Sequence, residues 1–358
     1  MKKWLELVVD TAKQSYSELF NREPDVSIHV VERDKWKEEL EKSGASPKDR
    51  PAVYLVDKIL IRDDATYFDV LHELGHEALY TNMGLKEQIL RLKNEKNTRL
   101  TKYLEKKLPL EFLENAANQY AKVIGSRMKY RLPELIKKSL EGINPRFVAF
   151  NGSVQREGWG RDIDIWIVTD YDFRNEPFPE EWDVEIVPVE VFEEGVENSD
   201  GIYIDLSVSG DIVADTGSYT KRLLESLKTK PSSKEIDYHF KRAYRTLSLA
   251  KSRLVELRLY KKMKLMEHQP ADEVILQEAN IPFPELFFNP LSYAVSYAYL
   301  GSEYSCGNRP VISNTKLPLL EHIRKAKLAG YYPKPEKLIS IVEEFVKDAA
   351  KISINNRA

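Results

Sequence analysis

His72 and His76 bracket Glu73 in the stretch LHELGHEALY, residues 71–80. Side chains four residues apart on a helix share a face, so the two imidazoles can aim at one point. Two converging imidazoles suit zinc, and Glu73 beside them stands where a general base for an attacking water belongs. An open catalytic zinc site wants one more protein ligand. The stretch LENAANQYA offers Glu114, and Asn118 one turn later is placed to accept a hydrogen bond from a ligand histidine. A second stretch, FNGSVQREGWGRDIDIWIV from Phe150, carries a different chemistry. Alternation along a strand puts Asp162 and Asp164 on one face and turns Ile163, Ile165 and Ile167 to the core. Paired carboxylates suit magnesium, a hard cation that prefers oxygen ligands. Gly152 lets the backbone approach a triphosphate, and the Ser153 hydroxyl and amide can hold it.

The first constellation resembles the gluzincin metallopeptidases, above all their minimal forms and the ImmA/IrrE-like peptidases. The likeness runs over about residues 25–127 and rests on HELGH together with Glu114 and the following Asn118, Tyr120 and Ala121. It implies Zn2+ held by His72, His76 and Glu114, Glu73 as the base, and a peptide substrate. KILIRD, ahead of the HELGH helix, resembles the strand against which such peptidases lay an extended substrate.

The second constellation resembles the polymerase-beta-like nucleotidyltransferases, whose signature is an apolar residue, Gly-Ser, a loop and Asp-apolar-Asp. Locally it is similar to archaeal CCA-adding enzymes and minimal nucleotidyltransferases, over about residues 132–228. The resemblance implies transfer of an NMP from an NTP to a hydroxyl with two Mg2+, one clamping the attacking oxygen and one the leaving pyrophosphate. The acceptor would be an RNA 3′ end such as that of tRNA, a protein or a small molecule. The family needs a third carboxylate on a neighbouring strand. Glu185 in WDVEIVPVEVF and Asp205 in IYIDLSV compete for it, with Glu185 preferred. Lys221 and Arg222, at the start of a helix after the last strand, are candidates for the nucleotide phosphates. A zinc peptidase regulated by a nucleotide-sensing, non-catalytic transferase domain is the alternative reading. Both families occur in stress and toxin–antitoxin systems, which suggests a regulatory role by analogy.

The elements that must position these residues can be read from periodicity. Trp4, Leu5, Val8, Val9, Ala12, Tyr16, Leu19 and Phe20 mark an amphipathic helix over 3–20, not a signal peptide. SIHVVE is a strand, AVYLVDKILIRD is two strands joined at Asp57-Lys58, and the HELGH helix ends near Gly84. RDKWKEELEKSG reads as a helix ended by Gly44, and residues 85–107 as a solvated helix. RFVAFNG, DIDIWIVTD, WDVEIVPVEVF and GIYIDLSVSGDIVAD read as strands, TKPSSKE as a linker, and the remainder from residue 234 as helices. The expected fold class is α+β: a small zincin-like domain over 1–128, a mixed-sheet nucleotidyltransferase domain over 129–230, and a helical domain over 231–358.

Bulk properties narrow the classes. A net charge of −3 over 358 residues gives no global field toward nucleic acid. One cysteine, Cys306, excludes a disulfide framework and a thiolate zinc site within the chain. No stretch is apolar enough to span a membrane, and the cytoplasm is the expected compartment.

Overall fold

The computed structural model describes residues 2–43, 50–87, 89, 110–170, 178–266, 283–329 and 334–357. They form two compact units, Met1–Val189 with Gly210–Gly217, and Glu190–Ser209 with Ser218–Ala358. The chain is α+β, mostly helical with two small sheets. The positions of Gly44 and most of 85–107 lie outside the described residues.

In the first unit, α1 (Lys2–Phe20) buries Trp4, Leu5, Val8, Val9, Ala12 and Tyr16 along one stripe, as the spacing predicts. The first sheet has the order β1-β3-β2, from β1 (Ser27–Val31), β2 (Ala52–Tyr54) and β3 (Lys58–Arg62). β3 pairs parallel with β1 and antiparallel with β2. This corrects the expectation for KILIRD. Its Ile59, Leu60 and Ile61 are buried, and both edges of the strand are already paired, so it offers no edge to a substrate. A fully apolar run marks a central strand, and the edge beside the HELGH helix belongs to β2.

That helix is α3 (Tyr67–Asn82), between α2 (Trp36–Lys42) and α4 (Leu110–Met128) in chain order. Thr66 and Asp69 close a reciprocal capping box at its start. Gly84, at φ +63°, follows its end. α3 lies against α4, and Gly75 makes the approach possible, because a Cβ there would stand 2.2 Å from the Ala117 carbonyl oxygen.

α5 (Leu132–Ser139) leads into the second sheet, β6-β5-β4-β7. Its strands are β4 (Phe147–Asn151), β5 (Ile163–Thr169), β6 (Trp182–Pro188) and β7 (Asp211–Asp215), with the short α6 (Gly152–Glu157) after β4. β4 runs antiparallel to β5 and β7, and β5 parallel to β6. Val8, Ile61, Leu71, Ile124, Phe150, Ile165 and Trp182 belong to one buried core, so both sheets and the α3/α4 pair share a hydrophobic interior. Polar contacts fasten the same parts. The Glu181 carboxylate accepts from Trp4 Nε1 at 2.7 Å and from the Tyr67 amide, at the start of α3, at 3.0 Å. The Tyr67 hydroxyl donates to the Gly158 carbonyl at 2.9 Å. Gly158 and Gly125 of α4 cross backbone to backbone, each leaving about 2 Å for the other's missing Cβ.

The second unit holds α7 (Val189–Glu197, from Glu190), α8 (Gly201–Ser209), α9 (Tyr219–Ser226), α10 (Ser233–Met266), α11 (Phe283–Ser305), α12 (Pro318–Ala329) and α13 (Pro335–Arg357). α10, α11 and α13 pack around Leu247, Leu291, Val295, Leu338 and Val342. Asp200 is fully buried, and its carboxylate accepts from Tyr238, Tyr297 and the Ile202 amide. His239 is equally buried, accepting from the Gly201 amide and donating to the Glu235 carbonyl, a structural role. GIYIDLSVS is helix α8 and not a strand. Tyr203, Ile204 and Leu206 are buried within it, and such an apolar run does not separate a strand from a buried helix. The Asp200 side chain on the Ile202 amide starts the helix. WDVEIVPVEVF likewise stops being strand at Pro188. No helix among the described residues is long and apolar enough to cross a membrane.

Candidate metal centre and carboxylate sheet

α3 and α4 bring three ligand atoms together. His72 Nε2 lies 3.0 Å from Glu114 Oε2, His76 Nε2 lies 3.9 Å from the same oxygen, and the two imidazole Nε2 atoms are 3.2 Å apart. Tetrahedral zinc with bonds of about 2.0–2.1 Å sets its donors about 3.3 Å apart, so the spacing fits that ion. The donor set of two imidazoles and one carboxylate fits it chemically as well. Among the described residues this is the one cluster of three or more His, Cys, Asp or Glu donors lying within 4.8 Å of one another. Asn118 Oδ1 sits 2.9 Å from His72 Nδ1. An amide oxygen only accepts, so Nδ1 carries a proton, which leaves Nε2 as the ligating nitrogen.

The electrostatics suit ligation. Burial, and then the neighbouring His72, lower the His76 pKa to about 4, so it is neutral at pH 7. Burial pushes the Glu114 carboxyl up, but the Arg50 hydrogen bond and the two imidazoles outweigh it and leave it low. Glu73 is only 5% exposed, and burial raises its pKa to about 7, the range a general base needs. The backbone N–H of Tyr54, on the outer edge of β2, donates to that carboxylate. The Tyr54 ring stacks on His76 at 6.1 Å between centroids, and its hydroxyl donates to Glu77 Oε2 at 3.0 Å. Glu77, with no exposed surface, also takes the Asp25 amide at 3.1 Å, Thr81 Oγ1 at 3.1 Å and Lys86 Nζ at 3.2 Å.

Tyr54, Glu77, Lys86, Gly75 and Arg50 were not among the site residues expected from sequence. Glu77 had a signal, since it follows Glu73 by one helical turn on the same buried face. Arg50 had none: its Nη1 reaches Glu114 Oε1, at 3.3 Å, only through the tertiary fold.

The second constellation is arranged by strand register. Gly152 has φ +86°, and a Cβ on it would stand 1.7 Å from Asp164 Oδ2, so only glycine leaves room for that carboxylate. Gly160 likewise makes room for Ser153, whose Oγ would lie 2.1 Å from a Cβ there. Asp162 immediately precedes β5 and Asp164 lies within it, both half-buried. On β6, the partner of Asp164 is Asp183, while Glu185 pairs with Trp166. Neighbours in register share a face, so Asp164, Asp183, Trp166 and Glu185 look the same way. Asp183 thus stands nearer to Asp164 in register than the favoured Glu185. Its signal was the alternation in WDVEIV, but choosing between the two required the register.

Asp205 is not on a strand. It lies on α8 of the second unit, where its carboxylate accepts from the Ser313 amide and hydroxyl at 3.1 and 2.7 Å. Lys221 and Arg222 are exposed on α9, as a helix start after the last strand, and the Arg222 guanidinium lies 6.0 Å from the Tyr219 ring. Both belong to the second unit, whereas the sheet belongs to the first. No family model matches the chain, and no curated protein matches it.

Proposed function

We propose that the chain is a zinc-dependent peptidase whose first unit also carries a nucleotidyltransferase sheet. The observation behind the peptidase reading is the convergence of His72 Nε2, His76 Nε2 and Glu114 Oε2 beside the buried Glu73. Zinc bound by those three residues would supply Lewis acidity, polarising the scissile carbonyl and acidifying water. Glu73 takes the proton of the attacking water and returns it to the departing amine. Asn118 keeps His72 in the ligating tautomer, and Tyr54 holds Glu73 and flanks His76. An extended peptide adds to the outer edge of β2, the edge strand of its sheet.

The second reading rests on the glycine-shaped seat for Asp164. Asp162, Asp164 and a carboxylate of β6 would hold magnesium, which supplies charge neutralisation for an NTP. Gly152 and Ser153 admit its phosphates, and Asp183 or Glu185 takes the proton of the acceptor hydroxyl. The acceptor classes remain those the resemblance implies: an RNA 3′ end, a protein or a small molecule. A nucleotide-sensing sheet that regulates the peptidase uses the same residues without transfer.

Purified protein is expected to hold about one zinc per chain. Glu73→Gln should keep the metal and lose peptide cleavage, because Glu73 is a base and not a ligand. A Glu73→Gln protein that cleaves like wild type sinks the peptidase reading. Labelled NTPs offered with total RNA or protein test the transferase, and no labelled product from any NTP would sink that half.

A further inference from the structure

Arg50 steadies Glu114 but neither ligates a metal nor moves a proton in the reading above. It occupies the rim of the His72/His76/Glu114 cluster, with Nη1 3.3 Å from Glu114 Oε1 and a side chain 51% exposed. Glu114 is its one ion-pair partner among the described residues. Glu114 thus presents one oxygen to the imidazoles and the other to the guanidinium. A guanidinium has five N–H donors in a planar fork, and one contact among the described residues leaves donors for a further partner.

The backbone places this cation on the substrate track. Arg50 is followed by Pro51, which fixes its own φ, and the Pro51 carbonyl accepts from the Arg62 amide at 2.7 Å. β2 begins at the next residue. Four residues after Arg50, the Tyr54 amide reaches Glu73. The β2 backbone runs about 13 Å, or about four extended residues, from Tyr54 back to Arg50. The Arg50 side chain turns to Glu114, however, so its guanidinium stands one carboxylate away from the imidazoles, and a chain laid on this edge passes it near the cleaved bond.

We infer that Arg50 is a carboxylate receptor, and that the preferred substrates are short peptide segments bearing a carboxylate near the cleaved bond. A free C-terminus and an Asp or Glu side chain supply the same chemistry. The fork takes such a group bidentately, with the strength and directionality of a charge-assisted pair. A neutral segment leaves Arg50 to Glu114 and water. This inference rests on the peptidase reading, since it names the substrate class of that site.

The test uses the full-length, zinc-loaded Glu73→Gln protein and three labelled hexapeptides of otherwise identical sequence. One is neutral and amidated, one has a free C-terminus, and one is amidated with a Glu. Fluorescence anisotropy reads the affinities. At least one carboxylate peptide should bind about tenfold or more tightly than the neutral twin, and which one identifies the source. Adding Arg50→Gln should abolish the difference, Arg50→Lys should keep part of it, and Arg50→Glu should make the neutral peptide the preferred one. Zinc content of each variant is measured alongside, so that a lost preference is read only from metal-loaded protein. If Arg50→Gln loses its metal, Arg50→Lys and Arg50→Glu decide. Equal affinity for all three peptides, no binding of any, or a preference that survives removal of the guanidinium overturns the proposal. Cleavage by wild-type protein is scored separately. A carboxylate preference without cleavage overturns the peptidase reading and leaves Arg50 an anion receptor, while cleavage without preference does the reverse.

Discussion

The helix pair α3/α4 and the sheet strands β5/β6 both present groups fit to hold a metal, but they do so in opposite ways. On the helices, His72, His76 and Glu114 converge from two elements until their donors lie within 4.8 Å. On the sheet, Asp164, Asp183 and Glu185 are spaced by register along neighbouring strands and form no such three-donor cluster. The chemistry of the groups accounts for the difference. The helix set contains a single carboxylate, so the scaffold, with Asn118 and Arg50 bonded to its outer atoms, can hold three facing donors together ready for a cation. Three carboxylates repel, and nothing among them draws the set together. Preorganisation is built into the helix site by Asn118, Tyr54 and Arg50. In the sheet, the space that Gly152 leaves for Asp164 contributes to it.

If the comparison holds, substitutions should separate the two sites cleanly. The largest effects are expected from His76→Ala and Asp164→Ala. The first should release nearly all zinc and leave NTP incorporation standing. The second should retain the metal and lower incorporation by about 10²-fold or more, as expected when a group clamping transition-state charge is removed. In the same assay Asp183→Asn should cost more than Glu185→Gln, and Asp205→Asn least. Metal analysis and labelled-NTP turnover on the same preparations read both. If His76→Ala keeps its zinc, the helix cluster is not a metal centre.

A smaller effect should strike both regions together. Gly125→Ala forces a Cβ to within 2.2 Å of the Gly158 carbonyl oxygen, where backbone faces backbone and neither yields easily. Overpacking of this kind costs about 1–3 kcal/mol. Since the helix pair and the sheet share one core, a single unfolding transition should move down, with zinc retention and incorporation falling in step. Two separate transitions, only one of them shifted, would show that the shared core does not act as a unit.

The smallest effect is acid sensitivity of the metal-free protein. Burial lowers the folded pKa of His76 to about 4, against about 6.5 unfolded. The stability it contributes is present above 6.5 and is lost as the pH falls toward 4. Between pH 6.5 and 5.5 the loss should be about 1 kcal/mol. Chemical denaturation of wild type and His76→Gln across that window would show it, the variant having the flatter profile.

The sequence made the helical cluster legible because i,i+4 spacing is local and α3 is capped by residues beside it, Thr66 and Asp69. Glu114 and Asn118 were legible for the same reason. Strand existence was legible for β4, β5 and β6, but register was not, and register separates Asp183 from Glu185. KILIRD and GIYIDLSVS show the corresponding limit for fold. An apolar run reports burial, while its partners and even its secondary structure depend on contacts distant in sequence. Arg50 belongs to this second class, since it meets Glu114 across 64 residues of chain.

The return of the chain to supply β7 has a consequence for synthesis. The first unit is closed by Gly210–Gly217, after Glu190–Ser209 has already gone to the other unit. On a ribosome, β4 therefore has no β7 partner until that later stretch emerges, and the open backbone is a place where strands of other nascent chains can pair. It also follows that no single cut divides the polypeptide into two whole halves. A fragment ending at Val189 carries every residue of the helix cluster but leaves the sheet one strand short, and only a second, separately supplied piece containing Asp211–Asp215 could complete it by strand addition.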